Sequence, residues 1–152
     1  MGDLARVERQ LGRPPRAFRR VAVRCPYGGP AVIEQEPFDS EGAPFPTQFW
    51  LSCRALCARI ARLEAQGGVE RWTRAAASDA LLARSLERAH ADQRALRPEL
   101  PGGIGGSSRP GSLKCLHAHA AFALARPGYE LGDRILEEAA PLWPAESCCV
   151  AR

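Results

Sequence analysis

The spacing of apolar residues predicts the elements in the first third of the chain. Apolar residues recur at helical spacing after Asp3, which predicts a short helix over residues 3–11. The segments FRRVAVRC and AVIEQEP are rich in apolar and β-branched residues and flank the turn PYGGP, so they predict a β-hairpin. The next segment, FDSEGAPFPTQ, is rich in proline, glycine and aspartate and is predicted to be a loop.

The middle of the chain has helical periodicity. Apolar residues recur every three or four positions from Phe49, and the pattern ends at Gly67-Gly68, so one helix is predicted between these points. Within it, Cys53 and Cys57 are predicted to share the core-facing side. Residues 69–97 predict one or two further helices, with Ser78-Asp79 as a break and a new cap.

The last third of the chain predicts two helices and a tail. The segment PELPGGIGGSSRPGS is a long glycine-rich loop. After it, Ser112 is expected to cap a helix that runs to about Ala125, and residues 129–140 predict a last amphipathic helix. The whole pattern predicts a single α+β domain over residues 1–152, mostly helical, with a small β-hairpin near the N-terminus and a cysteine-containing tail over residues 141–152.

Composition narrows the class of protein without naming a function. The chain has 152 residues, of which 45% are hydrophobic and 25% charged, and this is sufficient for a folded core. The net charge of +4 comes from 21 basic residues, of which only Lys114 is a lysine. Such an arginine bias is typical of GC-rich bacterial genomes, and the 17 acidic residues are interspersed, so the charge does not indicate a nucleic-acid-binding protein.

The absence of a signal peptide or a long apolar run in the sequence predicts a cytoplasmic protein with no membrane partner. In that reducing compartment, six cysteines are more typical of metal binding, redox chemistry or burial than of disulfides.

Most of the cysteines lie where a predicted element begins or ends. Ligands from such positions can meet at one edge of a core, and several thiolates favour zinc or an iron–sulfur cluster as the cofactor. Cys115 and His119 are four residues apart, so one helical face could present both to one ion. The predicted metal ligands are Cys25, Cys53, Cys115, His119, Cys148 and Cys149. Because the chain has no C-x-x-C pair, buried reduced cysteines are the alternative, and this is preferred for Cys57.

The glycine-rich segment predicts an anion-binding loop beside the cysteines. Successive glycines allow backbone N–H groups to converge on an anion at the start of the next helix. A lysine retained against an arginine bias also favours a site. The predicted anion ligands are Gly103, Gly105, Gly106, Arg109 and Lys114. The segment is not a Walker phosphate-binding loop, because it lacks the G-K-[ST] ending, and a flexible linker is the alternative, since its Gly-Ser composition is typical of linkers.

An enzyme that acts on a phosphorylated or nucleotide substrate is an alternative function. His117 or His119 would then be a general base, or Cys115 a nucleophile with a pKa lowered by the helix N-terminus and Lys114. Such an enzyme would be a hydrolase or transferase. A third possibility is a non-catalytic interaction protein with buried reduced cysteines.

One further set of polar residues is interpreted as structural. Glu87, His90 and Arg94 form a stripe on one predicted helix, and such a stripe is more typical of a solvated charged face than of a site.

Five motifs occur in a fixed order along the chain. They are R-C-P-x-G-x-P at 24–30, F-P-T-x-F-W-L-[ST]-C at 45–53, R-L-E-x-x-G at 62–67, G-I-G-G at 103–106 and K-C-L-H-A-H at 114–119. This combination resembles an uncharacterised bacterial family, domain-of-unknown-function family 501, which is frequent in actinobacteria. The resemblance spans roughly residues 3 to 149.

The resemblance implies which residues belong to the family pattern. They are Cys25, Cys53, Cys115, His117, His119, the glycine loop and one C-terminal cysteine, whereas Cys57 is peculiar to this chain. Many relatives have Cys-Pro where this chain has Cys53-Arg54. Genes of this family often lie near those of a septum-formation initiator and an exopolyphosphatase-like protein, which implies a link to cell division but no activity. The leading expectation is a metal- or cluster-binding protein whose partner is a phosphorylated small molecule or another protein.

Overall fold

The computed structural model describes residues 2–109 and 111–149, which build a three-stranded sheet and six α-helices around one hydrophobic core. The strands are β1 (Phe18–Arg24), β2 (Pro30–Gln35) and β3 (Phe49–Leu51). The helices are α1 (Asp3–Leu11), α2 (Arg54–Ala65), α3 (Gly68–Ser78), α4 (Ala80–Leu96), α5 (Leu116–Ala125) and α6 (Glu130–Ala139), with a short 3₁₀ turn at Ile104–Gly106. The predicted α+β fold, mostly helical, is confirmed.

The sheet is antiparallel in the order β1-β2-β3. The predicted hairpin of β1 and β2 is confirmed, but the helix predicted from Phe49 is wrong at its start. Residues 49–51 form β3, with Phe49 and Leu51 buried and Trp50 half-buried between them. Helix α2 begins only at Arg54, so Cys53 occupies the position before its first residue and is not part of the helix. A strand this short shows little alternation in sequence, and pairing with β2 decides its structure.

The strand order brings distant cysteines to one end of the sheet. Because β1 and β3 are both antiparallel to β2, they run in the same direction and end at the same edge. Arg24, Pro30 and Leu51 mark that edge, since Arg24 pairs with Pro30 and Leu51 pairs with Val32. The next residue after β1 is Cys25, and Cys53 follows β3 by two residues.

Helix α5 is the central element of the core. Its sequence LHAHAAFALA is apolar on nearly every face, and seven of its residues are buried. It packs against β3, α6 and α2. A helix that is apolar all round is typical of such a buried position.

Two other sequence predictions have different outcomes. The break between α3 and α4 is confirmed, because Asp79 accepts hydrogen bonds from the N–H groups of Leu81 and Leu82 at 2.9 and 3.2 Å. The start of α5 at Ser112 is wrong, since the helix begins at Leu116 and Lys114 before it has a left-handed φ of 65°.

None of the helices in the described part of the chain is both long and apolar enough to cross a membrane.

Candidate functional site

Four cysteines gather in two pairs at the edge of the sheet where β1 and β3 end. Cys53 and Cys149 bring their sulfur atoms to 3.9 Å from each other, across 96 positions of sequence. Cys25 and Cys148 form the second pair, and both are buried. The structure gives the cysteines as thiols. We call these four residues the thiol centre.

Gly29 lies beside both sulfurs of the second pair. A Cβ atom added at Gly29 would lie 2.3 Å from Cys148 Sγ and 3.4 Å from Cys25 Sγ, so only glycine leaves room for both sulfurs. The Gly29 N–H also donates to Cys25 Sγ at 3.3 Å. Hydrogen bonds of this kind stabilise the thiolate form of a cysteine and tune metal sites.

The C-terminal tail reaches the sheet edge through specific contacts. The Tyr27 hydroxyl donates to the Pro144 carbonyl at 2.5 Å. Leu142 and Trp143 pack against the core, and Cys148 belongs to it. These contacts fix the tail next to the β1–β2 turn. The predicted tail of residues 141–152 ends in residues 150–152, which lie outside the described residues.

Burial keeps two thiols of this region, those of Cys53 and Cys57, protonated at neutral pH. The pKa of Cys53 is raised to about 11, chiefly by burial and further by the nearby Cys149, against the lowering effect of N–H groups at the start of α2. Burial also raises the pKa of Cys57 to about 11, and its Sγ lies 3.5 Å from the Leu51 carbonyl oxygen. At neutral pH both thiols are neutral, so neither is an activated nucleophile.

The two pairs do not form one ligand set. Within residues 2–109 and 111–149, no three Cys, His, Asp or Glu side chains are arranged to hold a metal ion together. One peptide bond joins the pairs, because Cys148 belongs to one and Cys149 to the other.

His119 is a fully buried residue with both ring nitrogens in hydrogen bonds. Its Nε2 lies 2.9 Å from the Leu113 carbonyl oxygen, which can only accept, so Nε2 carries the proton. Its Nδ1 then accepts from the Tyr129 hydroxyl at 2.7 Å. Burial lowers the pKa of His119 to about 3. A role as metal ligand or general base stays a prediction, and either role would require one of these bonds to break.

Cys115 and His117 lie near the other end of α2 from the thiol centre. Glu64, in the last turn of α2, accepts from the Leu116 N–H at 2.7 Å and lies 3.1 Å from His117 Nδ1. Cys53 precedes the same helix, so about 16 Å of helix separates it from this end. The structure therefore does not bring Cys115 together with Cys53. Because Cys115 precedes α5, the expected shared helical face with His119 is wrong.

The glycine loop uses several of its donors internally. Gly103 N–H donates to the Ser107 carbonyl at 2.8 Å, and Gly106 N–H donates to the Gly103 carbonyl at 3.0 Å. Lys114 Nζ donates to the Gly105 carbonyl at 3.3 Å. The start of α5, where an anion was expected, already holds the Glu64 carboxylate. Anion binding by these loop residues stays a prediction, and Pro110 lies outside the described residues.

The structure overturns the interpretation of His90 as part of a solvated face. His90 is 7% exposed, and its Nδ1 accepts from the Ile104 N–H at 3.0 Å. A Cβ atom at Gly103 would lie only 2.1 Å from that Nδ1. The position of His90 four residues after the buried Leu86 is the signal in the sequence that indicates this burial.

A pocket opens between α3, α4 and the loop after Gly103. Its volume is about 830 Å³. The lining includes Thr73, His90, Arg94, Arg109 and Ser112. It shares no residue with the thiol centre.

A known family matches the part of the chain that contains most of the sheet and helices α2 to α4. A family model described as a protein of unknown function, DUF501, matches residues 21–102. The chain belongs to the DUF501 family. In this DUF501 protein the matched range contains Cys25, Cys53 and His90, whereas the KCLHAH motif and the tail cysteines follow it. Neither the curated proteins nor the solved structures contain a significant match to the chain.

Proposed function

We propose that this DUF501 protein binds a thiophilic metal ion through the thiol centre, with Cys25, Cys53, Cys148 and Cys149 as ligands. The observation that carries the proposal is the 3.9 Å between Cys53 Sγ and Cys149 Sγ. Two thiolates bound tetrahedrally to one zinc ion, with Zn–S bonds of about 2.3 Å, are about 3.8 Å apart. The pair therefore already has the spacing of two ligands of one ion.

The second pair is suited to complete the site. Cys25 and Cys148 meet at Gly29, whose missing side chain leaves both sulfurs accessible to one another. The Gly29 N–H supplies the donor that a metal-bound thiolate favours. Since Cys148 and Cys149 are consecutive, the same segment of the tail supplies one sulfur to each pair.

Metal binding has to displace the thiol protons. The raised pKa of Cys53 means that this thiol is protonated at neutral pH and that an ion must compete with its proton for the sulfur. We therefore expect proton release on zinc binding and an affinity that falls as the pH falls.

Zinc is the simplest occupant, because four thiolates complete its tetrahedral coordination. An iron–sulfur cluster uses the same four thiolates, and its visible absorption distinguishes it from colourless zinc. In either case the metal would tie the C-terminal tail to the sheet edge and stabilise the fold.

The test is a metal analysis of protein purified without oxygen. Zinc and iron per chain are measured together with the visible spectrum, for the wild type and for Cys53→Ser and Cys149→Ser. We expect about one zinc ion, or the iron of one cluster, per wild-type chain and loss of metal in both variants.

Two matched variants sharpen the assay. Cys57→Ser changes a thiol beside the centre, and Cys115→Ser changes one at the far end of α2, so both should retain the metal. A folded wild type that takes up neither zinc nor iron would overturn the proposal, as would metal loss in Cys57→Ser alone. Formation of a Cys53–Cys149 disulfide in air with no metal uptake would instead support a redox role.

The enzyme and the interaction protein stay alternative functions, and no contact or distance among the described residues specifically favours either. Catalysis by Cys115, His117 or His119 would have to use a partly buried thiol, an imidazole beside Glu64 or a fully buried imidazole. A role in cell division would be compatible with a metal that is structural.

A further inference from the structure

We propose that the pocket between α3, α4 and the loop after Gly103 binds a small organic phosphate, with Arg94 and Arg109 holding the phosphate group. This site is independent of the thiol centre and of the metal proposal. Its volume of about 830 Å³ falls within the range of small-molecule sites, about 300–1,000 Å³.

The positive charges of the pocket come from two different elements. Arg94 projects from α4 and Arg109 from the loop, and both are exposed. Neither forms an ion pair with any residue that the structure describes. Glu87 is the acidic residue of the described lining, so the formal charge around the pocket is positive. Arginines on two sides suit a phosphate, whose several oxygens accept from more than one direction.

Hydroxyl groups and an apolar wall complete the pocket. Ser108 and Ser112 lie on the loop side, next to Arg109. Opposite them, small and apolar residues of α3 and α4 form a wall: Ala76, Ala77, Ala83 and Leu86. This combination fits a ligand with an anionic end and a less polar body, as small-molecule sites commonly do.

His90 belongs to the pocket lining and has a buried, unsatisfied ring nitrogen. Its Nδ1 accepts from the Ile104 N–H, so its Nε2 carries the proton in the neutral ring. Nε2 is buried and has no hydrogen-bond partner within the described residues. Burial and the nearby Arg94 lower the pKa of His90, which keeps the ring neutral. Unpartnered buried donors are rare in folded proteins, and a ligand oxygen would satisfy this one once a small movement of the ring exposes it to the pocket.

The test is a titration of the full chain with small phosphates. Binding is measured by calorimetry and by the NMR signals of the histidine ring nitrogens. The probes are inorganic phosphate, glycerol phosphate and AMP, with adenosine as the phosphate-free control. We expect at least one of the phosphates to bind and to shift the His90 Nε2 signal, and we expect adenosine to bind at least 10-fold more weakly than AMP.

Single arginine substitutions test whether the phosphate binds in this pocket. Arg94→Gln and Arg109→Gln should each weaken phosphate binding by about 10-fold or more, since a charge-assisted hydrogen bond is lost. Arg88→Gln is the matched control, because Arg88 lies on α4 but outside this pocket. Circular dichroism checks that each variant is folded.

Three results would overturn the proposal. They are the absence of binding by all three phosphates, equal binding of AMP and adenosine, and equal effects of Arg94→Gln and Arg88→Gln. None of these depends on metal content, so this site and the thiol centre can fail separately.

Discussion

Replacing Gly103 with alanine tests whether His90 holds the glycine loop against α4. The new Cβ would lie 2.1 Å from His90 Nδ1 and 2.7 Å from Cγ, so the ring has to move by about 1 Å or more. His90 is buried and bound to the Ile104 N–H, so this movement disrupts a buried hydrogen bond. Overpacking and the lost bond together cost about 2–4 kcal/mol of unfolding free energy.

The effect is measured by urea unfolding followed by circular dichroism, and by thermal unfolding. For a chain of this length, we expect Tm to fall by about 4–16 °C. Gly111→Ala is the control in the same loop, because its added Cβ has no atom within 4 Å and only its left-handed φ is strained, at about 1 kcal/mol.

A double-mutant cycle isolates the contact. In a His90→Ala background the ring is absent, so Gly103→Ala should cost at least about 1.5 kcal/mol less than in the wild type. Equal costs in the two backgrounds would refute the argument, and so would a cost in the wild type below about 0.5 kcal/mol.

Three further predictions concern stability. Below the unfolded pKa of about 6.5, the unfolded chain protonates His119 while the folded chain keeps it neutral down to about pH 3. His119 should therefore lower the unfolding free energy by about 1.4 kcal/mol per pH unit below pH 6.5, and a His119→Gln variant should lack this contribution. Glu64→Ala removes the acceptor of the Leu116 N–H at the start of α5, so urea unfolding should show a loss of about 1–2 kcal/mol. Asp79→Ala removes the cap of α4 and should cost about 1 kcal/mol by the same assay.

Conservative variants decide whether these effects have the stated causes. Glu64→Gln and Asp79→Asn retain a side-chain oxygen that accepts the same N–H groups, so each should recover at least half of the loss. A slope between pH 6.5 and 5 that is unchanged in His119→Gln would assign the pH dependence to other groups. Equal losses for the alanine and the amide variants would contradict the capping argument.

Local patterns account for the elements that the sequence predicted well. Asp79 caps a helix with its own side chain, and the turn between β1 and β2 has its glycines in place, so both features depend on residues a few positions apart. The errors occur where a distant partner decides. Cys53 was placed inside a helix because β3 is only three residues long and is stabilised by β2.

The candidate sites also combine features that nearby residues predict with features that distant contacts decide. The sequence indicated that cysteines lie at element ends, and the edge of the sheet does collect Cys25 and Cys53 there. It did not indicate that Cys115 lies at the far end of α2, since the start of α5 meets Glu64 through a contact between residues far apart in sequence. Nor did it show that His90 is buried, because Gly103 and Ile104 cover it from a separate loop.

By itself the sequence therefore determined the hairpin, the helix break at Asp79, the mostly helical α+β class and the kinds of side chain available for chemistry. Backbone propensities, caps and apolar periodicity act over a few residues and are visible in any short window. Only the tertiary structure decided that Cys53 meets Cys149 and that Arg94 and Arg109 face one pocket. These pairs are far apart in sequence, and their approach depends on strand pairing, on core packing and on the contacts that hold the tail and the loop.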